Sequence, residues 1–157
     1  MARMALNDRE FAVTAVRWLL GIQSLGSGIN WWIKILPFPN MHEHIEGPVK
    51  HEILRVLIES GWMFSTAKVL EIIGGACLVF NRFVPLGLVL LMPVTVNIFL
   101  VNVPWSPLPH VQLSVTRNLV MHCILLAAYA NYFYPMLKAR SAPQPVWRDP
   151  SRIWKSF

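Results

Sequence analysis

Residues 85–103 read PLGLVLLMPVTVNIFLVNV, a run without a single charged side chain. A helix needs about 20 apolar residues to cross the hydrocarbon of a bilayer, and this run has the length and the composition. Pro85 suits the first helical turn, where its missing N–H would have no partner. Pro104, Pro107 and Pro109 then make a loop.

Three further segments of similar character flank this one. Residues 11–33 form the first, closed by Trp31, Trp32 and Lys34 as interfacial anchors and stopped by Pro37. Asn7 and Glu10 have capping-box spacing and place its start near residue 11. Residues 62–80 form the second and residues 114–135 the fourth, the latter ending in Tyr132, Phe133 and Tyr134. In the outer loop, Pro48 begins an amphipathic helix whose Val49, Ile53, Val56 and Leu57 make one apolar stripe. The expected fold is an all-α integral membrane four-helix bundle, with that amphipathic helix lying on the outer interface. The 157 residues divide into a cytoplasmic N-terminus (1–10), the four-helix domain (11–136) and a basic, aromatic cytoplasmic tail (137–157).

Composition agrees. The chain is 55% hydrophobic and 14% charged, with a mean hydropathy of +0.46, where a soluble domain is about one quarter charged. The net charge of +6 does not argue for nucleic acid, because the basic residues sit near span ends, where lipid headgroups meet them. With the N-terminus inside, the cytoplasmic segments hold Arg3, Arg9, Arg82, Lys138, Arg140, Arg148, Arg152 and Lys155. The outer segments hold Lys34, Lys50 and Arg55. The positive-inside rule therefore puts both termini in the cytoplasm and the protein in the inner (cytoplasmic) membrane. Asp8 and Glu10 stand where a signal peptide has its basic region, so the first span is expected to stay attached. Cys77 and Cys123 read as small apolar fillers.

Polar side chains at bilayer depth face the interior of a bundle and often mark function. Counted from the cytoplasmic ends at about 1.5 Å per residue, Lys68, Asn97 and His122 share a height of about 20 Å. Glu71 lies one turn from Lys68 on the same face, and Arg17 lies lower on the first span, within reach of Glu71. Asn118 shares the helix face of His122. Pro93 is expected to kink the third span one turn before Asn97 and to free a carbonyl near this layer. Three readings stay open. The layer is internal neutralisation and helix glue, a pocket for a quinone, lipid or other amphiphile, or a proton or transport pathway.

Outside the membrane, His42, Glu43, His44, Glu46 and His51 form a weak metal candidate, with His110 in the other outer loop. The spacing matches no strong template, and a solvated polar loop is the better account of it. No phosphate-binding glycine loop, dinucleotide fingerprint or nucleophile elbow occurs. His122 is the sole histidine within an expected span, which argues against a two-histidine transmembrane haem and leaves a single axial ligand open.

Residues 68–79, KVLEIIGGACLV, pair a glutamate with two glycines. This helix resembles the signature helix of the DoxX-like membrane proteins. The Arg17, Gly21, Gly28 pattern and residues 93–100, PVTVNIFL, look similar too. The resemblance spans about residues 11–136 and implies a four-helix membrane bundle. It also implies an accessory subunit of a redox-linked membrane assembly, with membrane lipids and other membrane subunits as partners, or a quinone- or lipid-binding module. The alternative is the membrane subunit of a quinone-reducing oxidoreductase. Of the family's pattern, Glu71 and Asn97 match by position, while Asn102 stands where relatives often carry a histidine.

Overall fold

The computed structural model describes residues 2–34 and 47–137, and these form helices with no strand among them. The elements are α1 (Ala2–Ile33), α2 (Pro48–Glu59), α3 (Met63–Val79), α4 (Val84–Asn102), α5 (Pro109–Ala128) and a short α6 (Ala130–Phe133). A 3-10 turn, Tyr134–Leu137, follows. His42, Glu43, His44, Glu46, Pro37 and the tail beyond residue 137 lie outside the described residues.

Local chemistry sets most of the boundaries. Pro48, Pro85 and Pro109 each fall in the first turn of a helix, where a fixed φ helps and a missing N–H costs nothing. Pro109 therefore opens α5 instead of closing a loop, and α5 begins earlier than the expected residue 114. The first helix likewise starts at Ala2 and runs through Asn7 and Glu10, so these residues do not cap it. Ala, Met and Leu in that segment are strong helix formers and carry the helix past the polar pair. α4 continues unbroken through Pro93. The expected fourth span breaks at Tyr129 (φ −100°), short of residue 135, in a segment rich in aromatics of lower helix propensity that leads into Pro135.

α3 ends in a Schellman motif. Asn81 takes a left-handed conformation (φ +54°), Asn81 N–H donates to Leu78 O and Arg82 N–H donates to Cys77 O. Phe83, also left-handed, then starts α4, so the two helices reverse direction within a few residues. Between α2 and α3 the chain bends by 87° around Gly61, whose φ of +75° favours a residue without a Cβ.

Four helices pack in a closed circuit: α1 on α3, α3 on α4, α4 on α5, and α5 back on α1. The α1–α3 seam is set by glycines. A Cβ on Gly75 would lie 2.6 Å from Leu25 N, and one on Gly28 would lie 2.9 Å from Lys68 O, so backbone meets backbone. Gly74 and Gly87 do the same between α3 and α4, at 3.0–3.1 Å from each other's carbonyl oxygens. Close approach of this kind replaces the hydrophobic drive that water would supply. α2 turns Leu54 inward toward α3 and α4. Val49 and Val56 of the expected stripe stay exposed, so the sequence stripe was set about one position off the inward face.

Charged side chains lie within the apolar core, and many large apolar ones lie on the surface. Arg17, Lys68, Glu71 and His122 are buried, while Leu19, Ile22, Ile73, Leu86, Val89, Leu100, Val120 and Ile124 are exposed. In water, burying charges beneath an apolar coat opposes both desolvation and the hydrophobic effect; a lipid surrounding favours that order. Among the described residues, α4 and α5 are each long and apolar enough to cross a membrane, and α2 with α3 reach that standard as a bent pair. The described fold is all-helical, with two helices long and apolar enough to cross a membrane.

Candidate functional site

α1 and α3 meet at a three-membered polar knot. Lys68 Nζ donates to Glu71 Oε2 at 2.7 Å and to Ser27 Oγ at 3.0 Å, and Ser27 Oγ–H donates to the same Glu71 oxygen at 3.0 Å. Lys68 and Glu71 are 6% and 3% exposed. A buried ion pair of this kind holds only if hydrogen bonds complete it, and Ser27 completes it from the neighbouring helix. The Phe64 ring lies 5.3 Å from the ammonium and packs on Trp31 at 4.6 Å, adding a cation–π contact.

His122 ties α5 to α4 and is fully buried. Its Nε2 lies 3.0 Å from Leu88 O and its Nδ1 lies 3.1 Å from Thr95 Oγ1. A carbonyl can only accept, so Nε2–H donates to Leu88; in the neutral ring, Nδ1 then accepts from the Thr95 hydroxyl. Both nitrogens have protein partners.

Arg17 goes elsewhere than expected. Its guanidinium donates to Leu78 O at 2.9 Å, in the last turn of α3. Leu78 is two helical turns from Glu71, about 10 Å along the axis. The cation meets the negative end of the α3 dipole and one of its end carbonyls. Asn97 also falls outside the layer: it is exposed, and its Nδ2 donates to Pro93 O of its own helix at 2.8 Å. Equal height along parallel axes does not fix the angle around each axis, and Asn97 faces away.

Between these knots the four packed helices leave a cavity of about 70 Å³. Its polar lining is Gln23, Ser24 and Ser27 from α1, Glu71 from α3, Thr95 from α4 and Asn118 from α5. Leu20, Leu91, Val94, Ile98 and Val115 make the apolar lining. Asn118 Oδ1 is buried and has no hydrogen-bond partner. Most buried polar atoms are paired, so this acceptor beside the cavity is an exception among the described residues. The cavity is smaller than pockets that enclose a whole drug-sized ligand, about 300–1,000 Å³, and suits the polar tip of a larger molecule.

The expected layer thus resolves into parts: Lys68 with Glu71 is one knot, His122 another, Arg17 a helix cap, and Asn97 is outside. Ser27 and Thr95, which complete both knots, were missed. The available signal was the polar run Gln23, Ser24 and Ser27 inside a span, with two serines one turn apart. Of the outer histidines, His51 and His110 are exposed on α2 and α5. The described residues contain no group of three metal-binding side chains, and His42 and His44 lie outside them. No family model, curated protein or solved structure matches the chain.

Proposed function

We propose that this chain is a multi-pass protein of the cytoplasmic membrane that binds the polar end of a quinone or lipid between its helices. In this reading it acts as a DoxX-like accessory subunit of a redox-linked membrane assembly. α1, α3, α4 and α5 each cross the bilayer, α2 lies on the outer interface, and both termini are cytoplasmic. The basic-residue bias supports the orientation, and the KVLEIIGG helix supports the family.

One observation carries the binding role. Glu71 and Asn118 line the same small cavity between the four helices, and Asn118 Oδ1 is buried without a partner. The alternative, a quinone-reducing subunit with a proton-handling layer, has less support. His122 and the Lys68–Glu71 pair, the groups it would use, are each engaged by protein partners.

Native mass spectrometry of protein gently extracted from its own membranes tests the reading. A retained small amphiphile that is lost in Asn118→Leu is the expected result. Retained polypeptides with no small molecule would overturn the binding role and leave the accessory one.

A further inference from the structure

The four seams of the helix circuit are not held alike. The Lys68–Glu71–Ser27 knot and the close backbone approach at Gly28 and Gly75 fasten α1 to α3. Gly74 and Gly87 bring α3 and α4 together, and His122 bonds α5 to Leu88 and Thr95 of α4. The α1–α5 seam changes character along its length. Val13, Val16, Leu20, Gln23 and Ser27 follow one another at spacings of three and four, which places them on one face of α1. The first three join Met121, Leu125 and Tyr129 of α5 in the apolar cluster.

Beyond Leu20 the seam turns polar. Gln23, Ser24 and Ser27 of α1 and Asn118 of α5 are half-buried, and with Val115 they line the cavity. Among the described residues, no side-chain hydrogen bond joins α1 to α5 at this level: Ser27 bonds α3, and Asn118 Oδ1 has no partner. Glu71, Leu91 and Val94, the deeply buried part of the lining, belong to α3 and α4 and make the far wall. Toward one end of the bundle the apolar cluster closes the cavity. Toward the other, Gln112 Nε2 ties α5 to Val103 O and Ser106 O at 3.1 and 2.8 Å, and Phe64 packs on Trp31. A packed structure opens first where few buried apolar contacts oppose it. Here that place is the C-terminal half of α1 against the N-terminal half of α5, and the opening leads sideways.

We propose that these two half-helices form a lateral portal, through which the polar end of a lipid-soluble amphiphile enters the cavity from the surrounding hydrocarbon. The apolar body of the ligand stays in the bilayer, which suits a cavity of about 70 Å³. This rests on the membrane and binding reading above and adds the route, and with it the demand that the ligand partition into lipid.

The test photolabels the full chain in phosphatidylcholine nanodiscs, where both ends of the bundle meet water. One probe is hexadecanol carrying a diazirine at its alcohol end, and the other is a water-soluble diazirine polyol. Adducts on Glu71, Leu91 and Val94, which are 3%, 1% and 9% exposed, report entry; those on exposed Leu100 and Val120 give the reference level. The portal predicts far-wall adducts from the lipid-soluble alcohol and none from the polyol. A second comparison uses Gln23→Cys with Asn118→Cys in a Cys77→Ala, Cys123→Ala background. Oxidation to the disulfide is expected to remove the far-wall adducts, and reduction to restore them. Far-wall labelling by the polyol, or by the alcohol with the disulfide closed, would overturn the portal and leave the binding role standing. No far-wall adduct from either probe would overturn both. The two probes decide in the unsubstituted protein even if the double variant does not fold.

Discussion

Lys68 and Glu71 illustrate what a buried charge demands in an apolar setting. Neither is tolerable alone, because removing one leaves the other desolvated and unpaired, at about 3–5 kcal/mol. Glu71→Leu and Lys68→Met are each expected to lower the unfolding free energy by that amount. The double variant should lose much less than the sum. Unfolding the four proteins in detergent by denaturant titration measures the coupling; additive losses would mean that the pair is not the unit of stability. The i, i+3 spacing made this pair legible from the chain itself. The partners of His122 and Arg17 were not legible. A backbone carbonyl such as Leu88 O or Leu78 O leaves no mark in the sequence, and its availability depends on where the neighbouring helix ends or passes. Asn97 was misplaced because depth along a helix could be counted but its rotation against three neighbours could not.

The helices can be tested where they touch. Gly75→Ala puts a methyl 2.6 Å from Leu25 N, and backbone cannot yield as a side-chain tip can. The α1–α3 seam must open, and a loss of about 1–3 kcal/mol is expected, the usual range for overpacking. Gly61→Ala is a useful contrast, since nothing lies within 4 Å of its added Cβ and only the left-handed φ of +75° opposes it. That strain is worth about 1–2 kcal/mol, and it should leave the α1–α3 contact unchanged, as a disulfide placed across the seam would report.

α2 carries a pH-dependent element. Arg55 bonds Glu52 at 2.6 Å and Glu59 at 3.2 Å on its exposed face. The Arg55 hydrogen bond holds the Glu52 carboxyl below its ordinary value of 4.5. A lowered folded pKa means that the contribution is fully present above the ordinary value and is lost as pH falls through the lowered one. Protection of the α2 amides in hydrogen exchange is therefore expected to stay level from pH 7 to about 5 and to fall below about 4. The effect is local because both partners are solvated. Protection that rises on acidification would contradict this assignment.

The existence of the helices was the readable part at this scale, and the uncharged run of residues 85–103 is the clearest case, a helix long and apolar enough to cross a membrane. Span ends were less readable. Asn7 with Glu10, and Pro109, each permit a boundary, and propensity over the adjoining residues decided which was used.

The whole molecule buries a few charged and polar side chains in a core that is otherwise leucine, valine and methionine and leaves many large apolar ones outside, and that pattern follows from residues already discussed. Small glycines bring α1, α3 and α4 together, and Lys68, Glu71 and His122 find partners inside. Side chains such as Leu86, Leu100 and Val120 are left on the exterior. Composition foretold the apolar exterior. The central cavity was beyond reach of the sequence, because a void arises from the mismatch of four packed surfaces and belongs to no single stretch of chain.

Cys123 provides the most direct test of the claim that this exterior faces lipid. It is exposed on α5, beside Val120 and Ile124. A nitroxide attached there in a Cys77→Ala background, with the protein in lipid vesicles, reports its surroundings through electron-spin relaxation. Enhancement by oxygen, which concentrates in hydrocarbon, well above that by a water-soluble nickel complex is the predicted result. Dominant enhancement by the nickel complex would put this face in water and contradict the membrane-spanning account.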